Sequence, residues 1–388
     1  MNNAMHFLPR LDPDRLLPLL RRWREASPHG GLLALIPEGA KDEVAELQRQ
    51  CRALGVPLVG GVFPALIEGG SFRSDGAWLL HLDEMPLATL YPDLPSDPEA
   101  LAEAVDTIAA EIRTAVSGAP DETTLCLLFD SMVANIGSFL DELYLRLANR
   151  VRYMGANAGS ESFRPMPCLF DSDRILGNAV LAVLLHPHRG AILAHGYGVP
   201  EQMIVATSTQ GNRILQIDWR PAFDVYRELA QAQYGVAIDR ESFYRYAVHF
   251  PFGIVRANGV TLVRIPVALE EDGSLFCVGE VPANSMLALL QAPMVDSRQT
   301  LETLCAGLGA SEGALAGQDL LLFYCAGRRL HLGVEAAEQE IRGLAQRSGV
   351  ARIAGALSLG EIGSMVEREY PLFHNATLVA SLWGRAGR

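Results

Sequence analysis

Four polar residues in the last fifth of the chain are the strongest candidates for a binding site. Glu361 lies in a Gly-x-x-Gly turn, and His374 and Asn375 directly precede the last apolar run. Arg328 follows an earlier apolar run. An arginine can hold a carboxylate in its planar fork while a glutamate binds an amine, so these residues together suit a small zwitterion such as an amino acid. The alternative is that His374 and Asn375 satisfy buried backbone groups near a strand end.

His195 is a candidate for a different chemistry, the ligation of haem iron. It follows the apolar run 191–194 and precedes Gly196-Tyr197-Gly198. A neutral imidazole among apolar neighbours can bind iron, and flanking glycines leave room for a macrocycle. His374 is the second candidate for this role. The competing interpretation is a partly buried histidine that is hydrogen-bonded to the backbone.

No metal site and no catalytic residues are predicted. His186 and His188 flank Pro187, but no cysteine or carboxylate at the spacing of a zinc site accompanies them. No serine, cysteine or threonine lies in a nucleophile elbow. The only lysine is Lys41, which excludes enzymes that need a placed lysine, such as P-loop NTPases and protein kinases. An enzyme whose residues converge from several parts of the chain stays open as an alternative.

Charge and composition limit the partners and the compartment. The formal net charge of −13 argues against nucleic acid, because binding to phosphates requires clustered cations. The six cysteines are scattered and form no C-x-x-C pair, which is typical of a reducing compartment. No apolar run approaches the roughly 20 residues that cross a bilayer, and no secretory signal is visible. We therefore predict a cytoplasmic protein with no membrane partner.

One pattern of elements, an apolar run, a helix and two further apolar runs, occurs three times and would position the candidate residues. The copies comprise residues 32–36, 41–54, 58–62 and 78–80; then 125–129, 139–151, 153–156 and 179–185; and finally 320–325, 335–347, 353–356 and 377–383. Each helix carries apolar residues at helical spacing. The repetition predicts three related β-α-β-β units.

Each unit has a glycine at the same place, in the run that follows its helix. These are Gly60, Gly155 and Gly355. A residue without Cβ lets a ligand or a backbone approach closely, so the three glycines are predicted either to form walls of a binding cavity or to allow tight packing.

The remaining patterns divide the chain into a mixed α/β fold of two domains built from these units and antiparallel meanders. Residues 1–27 form a leading amphipathic helix, and residues 28–220 hold two units and a meander. A linking helix at 221–235 leads to a second domain at 236–388, with strands, a helix and the third unit. The glycines at 307 and 309 are predicted to end the helix before that unit. We expect a ligand to signal by changing the relative position of the two domains.

The sequence resembles the FIST domain proteins over roughly residues 28–383. The resemblance rests on Leu321-Leu322-Phe323-Tyr324-Cys325-Ala326-Gly327-Arg328, Gly360-Glu361-Ile362-Gly363 and Phe373-His374-Asn375-Ala376-Thr377-Leu378, and on Gly211-Asn212-Arg213-Ile214-Leu215-Gln216-Ile217-Asp218. It implies a bacterial sensory module for a small ligand that passes its signal to a histidine kinase or a chemotaxis-type signalling protein. It also implies an alternative, since some members resemble haem-binding nitric-oxide sensors that regulate histidine kinases.

Overall fold

The computed structural model describes residues 4–116, 122–291, 297–365 and 370–384. Its α-helices are α1 (Pro13–Ala26), α2 (Val44–Ala53), α3 (Pro98–Ala115), α4 (Ile136–Leu147), α5 (Ala222–Tyr234), α6 (Phe243–Tyr246), α7 (Arg298–Glu312), α8 (Ala326–Leu332) and α9 (Val334–Ser348). Short 3₁₀ segments lie at Glu38–Glu43, Ala148–Arg150 and Ala247–His249.

The strands belong to several mixed or antiparallel sheets, so the predicted mixed α/β class is confirmed. They are β1 (Met5–Leu8), β2 (Gly31–Pro37), β3 (Leu58–Phe63), β4 (Leu66–Glu68), β5 (Ser71–Arg73), β6 (Ala77–Leu82), β7 (Ala88–Tyr91), β8 (Thr124–Asp130), β9 (Arg152–Ala158), β10 (Leu169–Asp171), β11 (Ile175–Leu176), β12 (Val180–Leu185), β13 (Ile192–Ala194), β14 (Ile204–Val205), β15 (Ser208–Gln210), β16 (Arg213–Ile217), β17 (Arg220–Pro221), β18 (Phe252–Val255), β19 (Thr261–Arg264), β20 (Pro266–Leu269), β21 (Leu275–Cys277), β22 (Met286–Leu289), β23 (Asp319–Cys325), β24 (Arg352–Ser358), β25 (Glu361–Gly363), β26 (Leu372–His374) and β27 (Leu378–Trp383).

Three sheets have the same central arrangement of strands. In the first, β2 pairs parallel with β3 and antiparallel with β6. In the second, β8 pairs parallel with β9 and antiparallel with β12. In the third, β23 pairs parallel with β24 and antiparallel with β27. A parallel pair needs a long crossover, and here the crossovers contain α2, α4 and the pair α8 and α9.

The short strands that follow each parallel pair join a different sheet from the pair itself. The hairpin of β4 and β5 extends the third sheet beside β24. The hairpin of β10 and β11 extends the first sheet beside β3, and β25 with β26 extends the second sheet beside β9. Each sheet is thus completed by strands from another, and we call this assembly of three sheets the exchanged core.

A second, antiparallel part is built from β14 to β22 and α5, and we call it the meander part. Its sheets have the orders β14-β22-β18-β19 and β15-β16-β21-β20. Its own apolar cluster includes Tyr226, Phe243 and Phe252, all fully buried. α5 lies in the predicted linking segment and ends at Gly235, whose φ of +70° an L side chain rarely adopts.

The exchanged core crosses the predicted boundary near residue 221. β4, β5 and β13 from the first half of the chain lie in the same sheet as β23, β24 and β27 from the second half. β25 and β26 of the second half extend a sheet that otherwise consists of first-half strands. The two predicted halves therefore share continuous sheets.

Three local predictions need correction. Residues 1–27 include β1, which pairs with β6, in addition to the helix. α3 was not predicted, although Asp97 caps its first turn by accepting hydrogen bonds from the N–H groups of residues 99 and 100. The helix predicted to end at 307–309 continues to Glu312, because its terminating glycine is Gly313, with φ +82°. Within the described residues, no helix is long and apolar enough to span a membrane.

Candidate functional site

A cavity of about 400 Å³, which we call cleft A, opens at the carboxyl end of β23. Cys325 to Gly327 form one wall, and residues 247–249 and 265–267 of the meander part form the opposite wall. Glu161 and Phe163, from a loop of the first half, close one side. The carboxyl ends of parallel strands are a common place for ligand sites, because loops and helix starts gather there. Cleft A therefore lies at the junction of the exchanged core and the meander part.

The rim of cleft A carries exposed apolar side chains. Phe163, Tyr244 and Leu330 are 38%, 61% and 58% exposed, and all three line the cleft. Ile265 adds a buried apolar surface to the lining. Exposed apolar groups that converge on a concavity are typical of a ligand-binding surface.

Glu161 and Arg245 bring opposite charges to this apolar cleft. Glu161 Oε2 forms an ion pair with Arg329 Nη2 at 2.5 Å, whereas Glu161 Oε1 is buried with no hydrogen-bond partner among the described residues. Arg245 is exposed, and its guanidinium lies 5.7 Å from the centre of the Tyr246 ring. The described residues offer Arg245 no ion-pair partner. A buried carboxylate oxygen without a donor favours a ligand that supplies one.

Of the four predicted zwitterion-binding residues, Asn375 lines cleft A. Its Oδ1 accepts a hydrogen bond from the Ile265 N–H at 3.4 Å, and its Nδ2 donates to the His374 carbonyl at 3.1 Å. Asn375 thus holds the exchanged core and the meander part together at the base of the cleft. Its amide bonds backbone groups, as the alternative interpretation expects.

Glu361 lies behind the wall of cleft A and is fully buried. Its carboxylate accepts hydrogen bonds from Ser358 Oγ at 2.6 Å and from Thr377 Oγ1 at 2.7 Å. Cys325 lines the cleft, and its Sγ accepts a hydrogen bond from the Ala376 N–H, next to the Thr377 N–H that donates to Glu361. Burial raises the pKa of Glu361 to about 7. A ligand in cleft A would meet Cys325 first, so the predicted direct contact of Glu361 with an amine does not fit this geometry.

The predicted role of Arg328 as a carboxylate clamp is wrong in this structure, because Glu340 already occupies its fork. Arg328 Nη2 and Nε lie 2.6 and 2.8 Å from the two carboxylate oxygens of Glu340, and both side chains are 1% exposed. Tyr324 donates a further hydrogen bond to Glu340 at 2.6 Å. Arg328 Nη1 donates to the His195 carbonyl at 2.7 Å. This buried network joins β23, α8 and α9, and it has a structural role.

His195 and His374 are buried beside each other, with ring centres 6.3 Å apart. Burial, together with the positive charge of Arg328, lowers the pKa of His195 to about 4. The pKa of His374 is also far below its usual value. Burial is the largest cause, and the nearby His195 and Arg264 lower the pKa as well. Both imidazoles are therefore neutral at pH 7.

The hydrogen bonding of His195 does not fit an axial haem ligand. Its Nδ1 accepts a hydrogen bond from the Tyr197 N–H at 3.0 Å, so the proton of the neutral ring is on Nε2. An iron-bound histidine has the opposite arrangement, in which Nδ1–H donates and the Nε2 lone pair binds the metal. Neither His195 nor His374 lines cleft A.

The glycines at the three equivalent positions allow close packing of strands. Gly60, Gly155 and Gly355 are register partners of Ala34, Leu127 and Leu322 on the neighbouring parallel strands. A Cβ at these glycines would lie 2.2, 2.1 and 1.9 Å from the carbonyl oxygens of those partners. The contacts favour the packing interpretation over the predicted cavity wall, since the space beside each glycine is filled by backbone.

The described residues contain no cluster of three or more potential metal ligands. His188, considered above with His186, is buried; its Nδ1 accepts from the Gly190 N–H and its Nε2 lies 2.9 Å from Ser381 Oγ. His188 is thus held by hydrogen bonds within the fold, which indicates a structural role.

Sequence patterns could not identify most of cleft A. Tyr244 lies in a one-turn helix and Glu161 in an irregular loop, where no periodicity marks a functional side chain. Glu340 did give a signal, because it lies on the same face of α9 as the buried residues Ala337, Ile341 and Leu344. A carboxylate in an apolar stripe requires a cationic partner, and Arg328 lies one helix away.

Two known protein-domain families match most of the chain. The FIST N domain matches residues 33–220, and the FIST C domain matches residues 222–364. No curated protein matches the chain in sequence. The chain therefore belongs to the FIST family.

Proposed function

We propose that this FIST protein is a sensor that binds a small zwitterion in cleft A and passes the signal to a partner protein. FIST domains are presumed sensory and signalling domains. The observation that carries the proposal is cleft A itself, an apolar concavity of about 400 Å³ with a buried carboxylate oxygen on Glu161 that has no hydrogen-bond partner among the described residues. A cleft with a few fixed polar groups in an apolar lining is the usual form of a small-molecule site.

The proposed ligand is an amino acid with an apolar side chain. Its ammonium group would donate to Glu161 Oε1, and its carboxylate would pair with Arg245 at the rim. Its side chain would lie against the exposed side chains of Phe163, Tyr244 and Leu330. The zwitterion predicted from the sequence is thus retained, with Glu161 and Arg245 in the roles first given to Glu361 and Arg328.

The signal would leave through a change of surface at the junction of the exchanged core and the meander part. Cleft A has walls from both, so a ligand that contacts both can stabilise one relative position over another. We propose a cytoplasmic histidine kinase or chemotaxis-type signalling protein as the partner that detects this change. No catalytic step is needed for this role.

The haem-based alternative, a nitric-oxide sensor, requires a rearrangement at His195. The ring would have to move its proton to Nδ1 and lose the hydrogen bond from Tyr197. This alternative predicts a Soret band in the purified or haem-reconstituted protein, and that band should disappear in His195→Ala. A protein that shows no Soret band after reconstitution would eliminate it.

We also propose that the three sheets descend from one duplicated β-α-β-β unit. The support is their shared strand directions and the common register of Gly60, Gly155 and Gly355. Superposition of residues 31–82, 124–185 and 319–383 tests the duplication, and a mismatch in connection or handedness would contradict it.

Calorimetric titration with apolar amino acids, one at a time, tests the sensor. For an amino acid that binds, Leu330→Asp and Glu161→Gln should each weaken binding at least about tenfold, because the first puts a charge on the apolar rim and the second removes the carboxylate. Leu145→Asp is the matched control, since Leu145 is 75% exposed on α4 and does not line cleft A. The N-acetylated amino acid should bind more weakly than the free one.

Two outcomes would contradict the proposal. Equal binding by the wild type and Leu330→Asp would remove cleft A as the site. Equal binding of the free and N-acetylated amino acids would remove Glu161 as the partner of the ammonium group.

A further inference from the structure

A second cavity, cleft B, lies at the same junction and has a volume of about 360 Å³. The amino-terminal turn of α4 forms one wall, and β18, β19 and the segment around Glu280 form the other. Phe373, next to the buried His374, lines the base. The two clefts lie close together, because Arg264, Glu280 and Phe373 line cleft B while their near neighbours Ile265, Val278 and Asn375 line cleft A.

Arg264, at the end of β19, is a buried cation in the wall of cleft B. It is 3% exposed, and no carboxylate of the described residues lies within ion-pair distance of it. Its Nε donates to the Glu280 carbonyl at 2.9 Å, and its Nη1 donates to the carbonyls of Val263 and Phe373 at 3.0 and 2.8 Å. Nη2 donates no hydrogen bond to a described residue. The side chain is therefore fixed by three carbonyls while its charge is left without an anion.

Burial destabilises the charged form of Arg264. Burial lowers its pKa to about 10, which means that desolvation of the guanidinium is incompletely compensated. A second cation, the exposed Arg256, also lines cleft B, with its guanidinium 5.8 Å from the centre of the Tyr370 ring. An anion in the cleft would compensate both charges.

Two carboxylates line the cleft, and each is already hydrogen-bonded elsewhere. Glu280 accepts from the Ser138 N–H at 2.8 Å and from Ser138 Oγ at 2.6 Å, so it caps α4. Asp141 accepts from the Tyr370 hydroxyl at 2.6 Å. These two negative charges disfavour a dianion such as phosphate much more than a monoanion.

We infer that cleft B is a second binding site, for a monocarboxylate with an apolar body. The carboxylate would accept from Arg264 Nη2 and lie near Arg256. The apolar body would pack against Leu262, Met286 and Phe373, which line the cleft. This site is separate from the zwitterion site proposed in cleft A, and its evidence is the buried cation.

A fluorine NMR titration with 4-fluorobenzoate tests the inference on the full chain. We expect saturable binding that is lost or weakened more than about tenfold in Arg264→Gln, and weakened about fivefold in Arg256→Ala. Because Arg264 is buried and its replacement can impair folding, the exposed Arg256 provides the second test. Arg21→Ala is the matched control, since Arg21 is an exposed arginine on α1 and does not line cleft B.

Three comparisons separate this site from its alternatives. Uncharged 4-fluorobenzamide should bind at least about tenfold more weakly than 4-fluorobenzoate, and equal binding would overturn the role of the carboxylate. Inorganic phosphate should displace the probe poorly, and efficient displacement would overturn the preference for a monoanion. Loss of binding in Arg245→Ala, with Arg256→Ala unchanged, would place the probe in cleft A and overturn the inference while leaving the sensor proposal intact.

Discussion

Replacement of Gly355 by alanine should strongly destabilise the protein. A Cβ there would lie 1.9 Å from the Leu322 carbonyl oxygen, whereas ordinary van der Waals contact begins at 3.4 Å. β24 would have to move about 1.5 Å away from β23, enough to break ladder hydrogen bonds in a fully buried sheet. Overpacking of about 1–3 kcal/mol and the loss of one or two hydrogen bonds of about 1 kcal/mol each give a decrease of about 2–5 kcal/mol in the free energy of unfolding.

Urea unfolding, followed by circular dichroism, measures this change against a matched control. Gly309 lies within α7, and a Cβ there would meet no atom within 4 Å. Gly309→Ala should therefore raise the free energy of unfolding by about 0.5–1 kcal/mol through its helix propensity. If Gly355→Ala unfolds at the same urea concentration as Gly309→Ala, close packing is not the reason for the glycine. A stable Gly355→Ala that loses only ligand binding would restore the cavity-wall interpretation.

Two further predictions concern buried carboxylates. Glu340→Gln leaves Arg328 as an uncompensated buried charge and should lower the free energy of unfolding by about 3–5 kcal/mol in urea titrations. Glu302→Gln, which breaks exposed ion pairs with Arg298 and Arg347, should change it by less than about 1 kcal/mol. Equal effects would refute the structural role of the buried pair. The pKa of Glu361 is raised from 4.5 to about 7, so the folded protein retains a proton that the unfolded chain releases, and stability should fall as pH rises through this window. The difference in unfolding free energy between wild type and Glu361→Gln, measured at pH 4.5 and pH 8, should change by about 3 kcal/mol, and a constant difference would show that folding does not raise the pKa of Glu361.

Local sequence patterns predicted helices and strands better than they predicted which strands pair with each other. The stripe of Phe139, Leu143 and Leu147 predicted a helical face that the structure buries, because helix periodicity is a property of neighbouring residues. The pairing of β4 with β24 could not be predicted in this way, because residues 66 and 356 meet only through the tertiary fold. A three-residue strand also carries too little alternation to identify its sheet.

The same dependence on tertiary structure explains why, of the four predicted polar residues, Asn375 alone lines cleft A. Asn375, which was selected because it directly precedes the last apolar run, does line cleft A, and its role in ligand binding stays a prediction. Arg328 was selected for its charge, but its function depends on Glu340, which the sequence presents as part of another helix. The chemical type of a side chain can be read from the sequence. Whether that side chain is free to bind a ligand depends on neighbours that only the fold brings near.

The exchange of strands changes how a signal can leave this protein. Rotation of residues 28–220 against residues 236–388, as the sequence suggested, would break the pairs of β24 with β4 and of β9 with β25. Each buried ladder that opens exposes backbone groups at a cost of about 1–3 kcal/mol apiece, so such a rotation is disfavoured. The meander part shares none of the described strand pairs with the exchanged core and meets it through side-chain contacts such as Glu280 with Ser138. Clefts A and B both lie at this junction, so a ligand in either one would act on the boundary that can move without opening a sheet.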